Sequence, residues 1–273
     1  MSEAHNDTVD RAAAYGDGAF ESIAVRNGVA RFWEAHVERL QTACMRLGLR
    51  QPTAAELADV VQEALAAAGD EAAFGTLRLV ASAAPSPRGY RRKHDGAISL
   101  SARLHTSRRL DPEFVRNGVA VRVCNVRLAQ QPALAGIKSL NRLEQVLARA
   151  EWDDPNVFEG LTLDTDGRLI CGTMSNVFIV KENEVATPGI TRCGVAGIMR
   201  ARVVQQLKEA GIACDVRDID AGELDRATEV FLSNSQFGVL PVNRIDGHEY
   251  PVGAITRRVQ ELLAADDVPE CLA

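Results

Sequence analysis

A chain of 273 residues with 46% hydrophobic and 25% charged content has an ordinary globular composition, long enough for one large domain or two modest ones. Its formal net charge of -6 argues against a protein that wraps a phosphate backbone, so a small-molecule partner and no nucleic acid are expected. The polar opening MSEAHNDTVDR lacks an apolar core, and no stretch approaches the ~18 apolar residues of a membrane helix, so a soluble, cytoplasmic chain with no membrane partner is expected.

In chain order, the polar start reads as disordered. AFESIAVRNGVARFW then alternates apolar and polar residues around Asn27-Gly28, a hairpin signal because that dipeptide tolerates the positive φ of a two-residue turn. EAHVERLQTACMRLGL carries helical spacing through Val37, Leu40, Cys44 and Leu47 and stops at Gly48. TAAELADVVQEALAAAG predicts a second helix, with Thr53 and Glu56 at capping-box spacing and Gly69 after its end. Two strands, GTLRLVAS and AISLSARL, flank the loop APSPRGYRRKHDG. HTSRRLDPEF, polar and holding a proline, separates them from the strand GVAVRVCNVRLA and is the expected domain boundary, which gives residues 1–110 and 111–273.

The second part holds the hairpin VFEGLTLDTDGRLICGTMSNVFIV, where Asp166-Gly167 reads as a turn and not as a calcium loop, because the later ligand positions are wrong. A short strand EVATP, a helix AGIMRARVVQQLKEAG, the strands ACDVRDI and EVFLSNS and a terminal helix around AITRRVQELLAAD follow. Helices and strands without regular alternation predict an α+β protein and not a doubly wound sheet. Cys44, Cys124, Cys171, Cys193, Cys214 and Cys271 contain no CxxC pair, and the histidines show no HxxxH spacing, so free thiols and no metal are expected.

AGIKSLNRLEQVLARAE, from Ala135 to Glu151, sets Lys138 after a glycine-led turn and ahead of a helical pattern. Leu140, Leu143 and Leu147 recur at i, i+3 and i+7, which predicts a helix whose apolar face lies on a core. If helix geometry begins at the lysine, Arg142 shares its face and raises the cost of protonating it, as a Schiff-base nucleophile requires. On spacing alone, a solvated lysine at a helix entrance is the commoner occurrence.

Taken in order, YGDGAFES, HVERL, AGIKSLNRLEQVLARAE and GVAGIMR resemble the fold-type IV pyridoxal-phosphate enzymes, which include the branched-chain and D-amino acid aminotransferases. The likeness runs from about Val9 to the C-terminus, and NVRLAQQPALAGIKSLNRLEQVLARAE with PRGY is most similar to the lyase branch. The resemblance implies a smaller N-terminal α+β domain, a larger C-terminal α/β barrel-like domain carrying the cofactor lysine, pyridoxal 5'-phosphate, and a homodimer. As activity it implies conversion of 4-amino-4-deoxychorismate to 4-aminobenzoate and pyruvate in folate biosynthesis. Transamination of D- or branched-chain amino acids is the alternative on the same scaffold, and a non-catalytic cofactor-binding or interaction protein is the alternative of another class.

By the same resemblance Lys138 carries the cofactor and moves protons, and Arg39, from the H-x-x-R-L pattern, holds the cofactor phosphate. Val195, Ala196, Gly197 and Ile198 precede a helix and offer amides to that phosphate, since small residues let backbone N–H groups approach an anion. Ser235 in FLSNSQF matches a hydroxyl position near it. Arg88 and Tyr90 of PRGY are expected to face the substrate carboxylates, with Asn234 as a further substrate contact. YGDG reads as a structural turn, because the rest of a phosphate-cradle pattern is missing. One departure concerns the cofactor's pyridine nitrogen, which relatives keep protonated with a glutamate five residues before the asparagine of SN(V/L)F. Before Asn176 that place is taken by Cys171. A thiol substitutes poorly for a carboxylate. The loss is expected to cost a lyase little, because formation of an aromatic product drives its step, and to cost a transaminase more.

Overall fold

The computed structural model describes residues 8–92 and 96–272. The polar opening, read from the sequence as disordered, lies outside the described residues up to Asp7, as do Lys93–Asp95 of the arginine-rich loop. Tertiary contacts divide the chain into two units, one running to Arg108 and including Ile137–Asn141, the other made of Arg109–Gly136 and the chain from Arg142 onward. The five-residue segment holding Lys138 belongs by contacts to the first unit and not to the second.

In the first unit, β1 (Thr8–Val9), α1 (Arg11–Tyr15), β2 (Gly18–Arg26), β3 (Val29–Ala30), α2 (Trp33–Arg46), α3 (Ala54–Ala68), β4 (Phe74–Ala83), β5 (Ser86–Pro87) and β6 (Ile98–Thr106) follow in order. Strands β3, β2, β4 and β6 form one antiparallel sheet in that order, and β1 pairs with β5. Asn27 and Gly28 take φ of 51° and 77°, which is why their dipeptide can join β2 to β3 in a tight turn. Thr53 and Glu56 form the expected capping box on α3. One face of the sheet, through Ile23, Leu77 and Leu79, packs on Leu40 and Cys44 of α2 and Leu57 and Val61 of α3. Their alternation in the strands and helical spacing in α2 and α3 bring these residues onto common faces.

The second unit contains α4 (Pro112–Asn117), β7 (Val119–Leu128), α5 (Leu143–Arg149), β8 (Val157–Asp164), β9 (Arg168–Gly172), β10 (Asn176–Lys181), β11 (Glu184–Pro188), α6 (Ile198–Glu209), β12 (Cys214–Arg217), β13 (Ile219–Asp220), β14 (Glu229–Asn234), β15 (Gly238–Ile245), β16 (His248–Glu249) and α7 (Ala254–Ala265). Its sheet runs β12-β11-β10-β14-β15-β7-β8-β9-β13, with β16 added to β15, and it is nearly closed and barrel-like. Val121, Leu161, Ile179, Leu232 and Leu240 are buried in its core.

Besides the short helices α1 and α4, which the sequence reading left unassigned, β15 and the lysine helix depart from it. β15 is a central strand between β14 and β7, yet GVLPVNRI carries Pro241, which supplies no ladder donor and hides the strand pattern. The lysine helix is shorter than expected: α5 begins at Leu143, so Lys138 and Arg142 do not share a helical face. Its leucine stripe also points outward. Leu143, Val146 and Leu147 are 70%, 60% and 53% exposed, and the inward position is Ala148, packed with Cys124 and Trp152.

The first unit is also held by a half-buried charge cluster. Asp17 accepts from Arg11 Nε at 2.8 Å and Arg92 Nε at 2.9 Å, and Arg11 continues to Ser86 Oγ and the carbonyls of Gly89 and Tyr90. Burial by itself would raise the Asp17 carboxyl, but the hydrogen bonds from Arg92 and Arg11 outweigh it and hold the group below its ordinary pKa. A depressed folded-state pKa means that this stabilisation is complete above the ordinary aspartate value of about 3.9 and is lost as pH falls through the lower folded value. Asp17→Asn is expected to destabilise the protein by about 1.5 kcal/mol at pH 7, with the difference from wild type shrinking in acid. Urea unfolding at pH 7 and pH 3 checks this, and equal midpoints at pH 7 would refute it.

Candidate functional site

Lys138 is placed by main-chain pairing. The Phe20 amide donates to the Lys138 carbonyl at 2.9 Å and the Leu140 amide to the Gly18 carbonyl at 2.9 Å, so residues 138–140 run antiparallel along the start of β2. The Lys138 ammonium lies 4.4 Å from the Phe20 ring centroid, and the Arg78 guanidinium lies 4.3 Å from it. Arg78 stands directly opposite Arg103 across β4 and β6, and both are exposed. Neither has an acidic partner among the described residues. Like charges facing each other across a ladder oppose folding, and an anion on this face would relieve that repulsion. Arg78 and Arg103 were not legible as site residues, because only strand register brings them together.

Phe20 and Glu21, adjacent in β2, point to opposite faces of the sheet. Glu21 lies under α2, only 1% exposed, and accepts from Arg39 Nε at 2.8 Å and from Arg39 Nη2. His36 Nδ1 completes the group at 2.7 Å from Glu21 Oε2. Burial would raise the Glu21 carboxyl, but the Arg39 charge and the His36 hydrogen bond bring it below its ordinary value. Burial lowers the His36 pKa, with the charges of Arg39 and Lys138 acting in the same direction against the pull of Glu21. The neutral ring therefore donates from Nδ1 to a carboxylate.

In the second unit, Gly194 to Gly197 form a loop before α6. The Gly136 amide donates to the Gly194 carbonyl at 3.0 Å and the Ala196 amide to the Gly136 carbonyl at 3.1 Å, tying the loop to a residue two positions before Lys138 in the chain. The Ala196 amide is therefore committed, a correction to its expected place among the phosphate donors. Among the described residues, the amides of Gly197, Ile198 and Met199 have no protein acceptor. α6 has no side-chain cap at Gly197 and no acidic residue in its first turn, so its positive end is unopposed. Asn176 Nδ2 donates to the Val195 carbonyl at 3.0 Å, and a Cβ on Gly197 would meet Asn176 Oδ1 at 2.0 Å. Only glycine fits there. This donor set suits a phosphate.

Ser235 is half-buried in the turn after β14. The Asn234 Oδ1 accepts from the amides of Gln236 and Phe237 at 2.9 and 3.0 Å, so it holds that same turn and its acceptor is not available to a substrate. Cys171 is buried with Leu128, Ile170 and Cys193, and its Sγ lies 3.5 Å from Thr162 Oγ1. Burial pushes this thiol up to about 11, so it is neutral near pH 7 and offers no ion pair to a protonated pyridine. The amides before α6 suit the phosphate of a group such as pyridoxal phosphate, and the Cys171 thiol is a neutral group.

The PRGY loop is pinned by Arg11 and by the Tyr15 hydroxyl, which accepts from the Gly89 amide at 3.0 Å. Tyr90 packs edge-on against Tyr15 and lines a cavity of about 840 Å3 within the first unit. Arg88 is exposed and is not among the lining residues; the arginines there are Arg11, Arg50, Arg91 and Arg92.

Residues 18–245 match the family model described as amino-transferase class IV. The chain is 35% identical to an aminodeoxychorismate lyase of Vibrio harveyi, over 95% of this chain and 96% of that one. A D-alanine aminotransferase of Bacillus licheniformis is 30% identical over 96% of this chain and 92% of its own length. Among solved structures, a 4-amino-4-deoxychorismate lyase from Pseudomonas aeruginosa superposes with a TM-score of 0.84 at 41% identity, covering 97% of this chain and 96% of that one.

Proposed function

The chain belongs to the amino-transferase class IV family, and on that footing we propose that it acts as a pyridoxal-phosphate-dependent lyase, converting 4-amino-4-deoxychorismate to 4-aminobenzoate and pyruvate in folate biosynthesis. Near-full-length likeness to two lyases, at 35% and 41% identity, carries the choice of lyase over transaminase. When bound, pyridoxal phosphate supplies the aldehyde that condenses with the substrate amine and withdraws electrons from the ring being deprotonated.

The reading assigns Lys138 to the cofactor aldehyde and Arg39, the amides of Gly197 and Ile198, and Ser235 to its phosphate. Lys138 Nζ, as a free amine, would take the proton from the substrate ring carbon that bears the amino group. The ring C–O bond to the pyruvyl ether would break, its electron pair leaving with enolpyruvate as the ring becomes aromatic, and Nζ would give its proton to the departing enolpyruvate, which becomes pyruvate. Arg78 and Arg103 are assigned to the two substrate carboxylates, because they are exposed cations without acidic partners on the face that carries Lys138. Tyr90 remains a candidate substrate contact at the cavity wall, and Arg88 an outer one. Cys171 is assigned to the pyridine nitrogen, where a neutral thiol leaves less electron-withdrawing power than a carboxylate would. A second copy of the chain is assigned to the exposed face of Leu143, Val146 and Leu147, since apolar side chains at i, i+3 and i+4 on one short helix are a common dimer contact.

No helix among the described residues is long and apolar enough to cross a membrane, and no group of three or more His, Cys, Asp or Glu among them is placed to hold a metal ion. Purified protein supplied with pyridoxal phosphate and aminodeoxychorismate is expected to release 4-aminobenzoate and pyruvate in equal amounts. Lys138→Ala should release neither, and Arg78→Gln should raise KM about tenfold. A yellow protein that makes neither product but transaminates D-alanine would overturn the lyase assignment.

Cys171→Glu is expected to speed the transamination half-reaction and to leave lyase turnover within about twofold, a change of ~0.4 kcal/mol. Sharply faster lyase turnover with unchanged transamination would contradict the account of Cys171. By sedimentation the protein should run at twice its chain mass, and Leu147→Glu should run as a monomer; a wild-type monomer would remove the dimer assignment.

A further inference from the structure

We propose that Glu21 is a positioning residue for the cofactor phosphate, acting through Arg39, and that His36 keeps Glu21 in place. This rests on the reading that pyridoxal phosphate binds with Arg39 on its phosphate. Three features carry it. The first is geometry: Arg39 meets both Glu21 oxygens along one edge of its guanidinium, from Nε at 2.8 Å and from Nη2. A two-point contact fixes the plane of the fork and removes rotamer freedom that an arginine otherwise keeps.

The second is burial. Glu21 and His36 are 1% and 0% exposed, set in the same layer as Ala19, Ile23 and Leu40. An apolar side chain in Glu21's place would fill this layer without the desolvation cost of a charge. The carboxylate therefore serves the arginine it holds and not the packing of the sheet on α2. The third is the state of His36. It stands three residues before Arg39 on the same face of α2, gives its Nδ1 hydrogen to Glu21 Oε2 at 2.7 Å, and leaves Nε2 buried with no hydrogen-bond partner among the described residues. A ring that leaves one nitrogen unsatisfied has its value in the bond made by the other. Glu21 thus stands to Arg39 as the carboxylate behind a metal-ligating histidine stands to that ligand: it does not touch the ligand's target but sets the direction from which the target is met.

The test titrates the full-length protein, freed of cofactor, with pyridoxal phosphate and, separately, with pyridoxal, which lacks the phosphate, and follows visible absorbance. Wild type, Glu21→Gln, Arg39→Lys and the double variant are compared. Glu21→Gln is expected to raise the Kd for pyridoxal phosphate about tenfold, to leave the Kd for pyridoxal unchanged, and to add nothing to the loss already caused by Arg39→Lys. Should Glu21→Gln not fold, Glu21→Asp, which keeps the charge but withdraws it from the guanidinium edge, is expected to show the same selective loss. An equal loss for both ligands, no loss for either, or losses that multiply in the double variant would each overturn the proposal. A wild type that takes up no pyridoxal phosphate would overturn the cofactor reading itself, and an Arg39→Lys protein that binds it normally would overturn the phosphate assignment.

Discussion

Two backbone hydrogen bonds, from the Phe20 amide to the Lys138 carbonyl and from the Leu140 amide to the Gly18 carbonyl, hold the lysine segment along β2. Each is worth only about 1 kcal/mol net, yet together they turn a connecting segment into an added strand with a defined register. Just upstream, Gly136 exchanges main-chain hydrogen bonds with Gly194 and Ala196, and its φ of 79° suits glycine. Residues 138 to 140 are secured to β2 by main-chain bonds at both ends. The position of the lysine backbone does not depend on which side chains neighbour it, which leaves those side chains open to serve the chemistry.

Half-buried and buried carboxylates organise what secondary structure leaves loose. Asp17 gathers Arg11 and Arg92 and, through Arg11, the PRGY loop. Glu159 accepts from the amides of Gly160, Thr173 and Met174 and the hydroxyls of Thr173 and Ser175, which shapes the link from β9 to β10. Glu229 accepts from the amides of Ile255 and Thr256 and so caps α7. Each is fully hydrogen-bonded, the condition under which a buried charge is tolerated. Cys171 marks the contrast: a buried neutral thiol demands no such partners and organises nothing around it.

Local signals were legible wherever a few neighbouring residues decide the conformation. Asn27-Gly28 meets a turn that needs two positive φ values, Thr53 and Glu56 satisfy each other across one helical turn, and the small residues before Ile198 precede an uncapped helix end. Signals failed where distant partners decide. Pro241 hides a strand whose place is set by β14 and β7 on either side. The leucines of α5 have helical spacing, but Ala148 is the residue small enough to lie against Cys124, so the helix turns its larger side chains outward.

The sequence by itself determined the motifs that identify the family, the lysine, the arginine of H-x-x-R-L, and most of the strands and helices, because these depend on residue type and short-range spacing. Tertiary structure alone decided that Glu21 clasps Arg39 with His36 bonded to Glu21, that Arg78 faces Arg103, and that the Ala196 amide is spent on Gly136. Those facts depend on strand register and on which face a side chain takes. A change of one residue in pairing reverses them without altering a single motif.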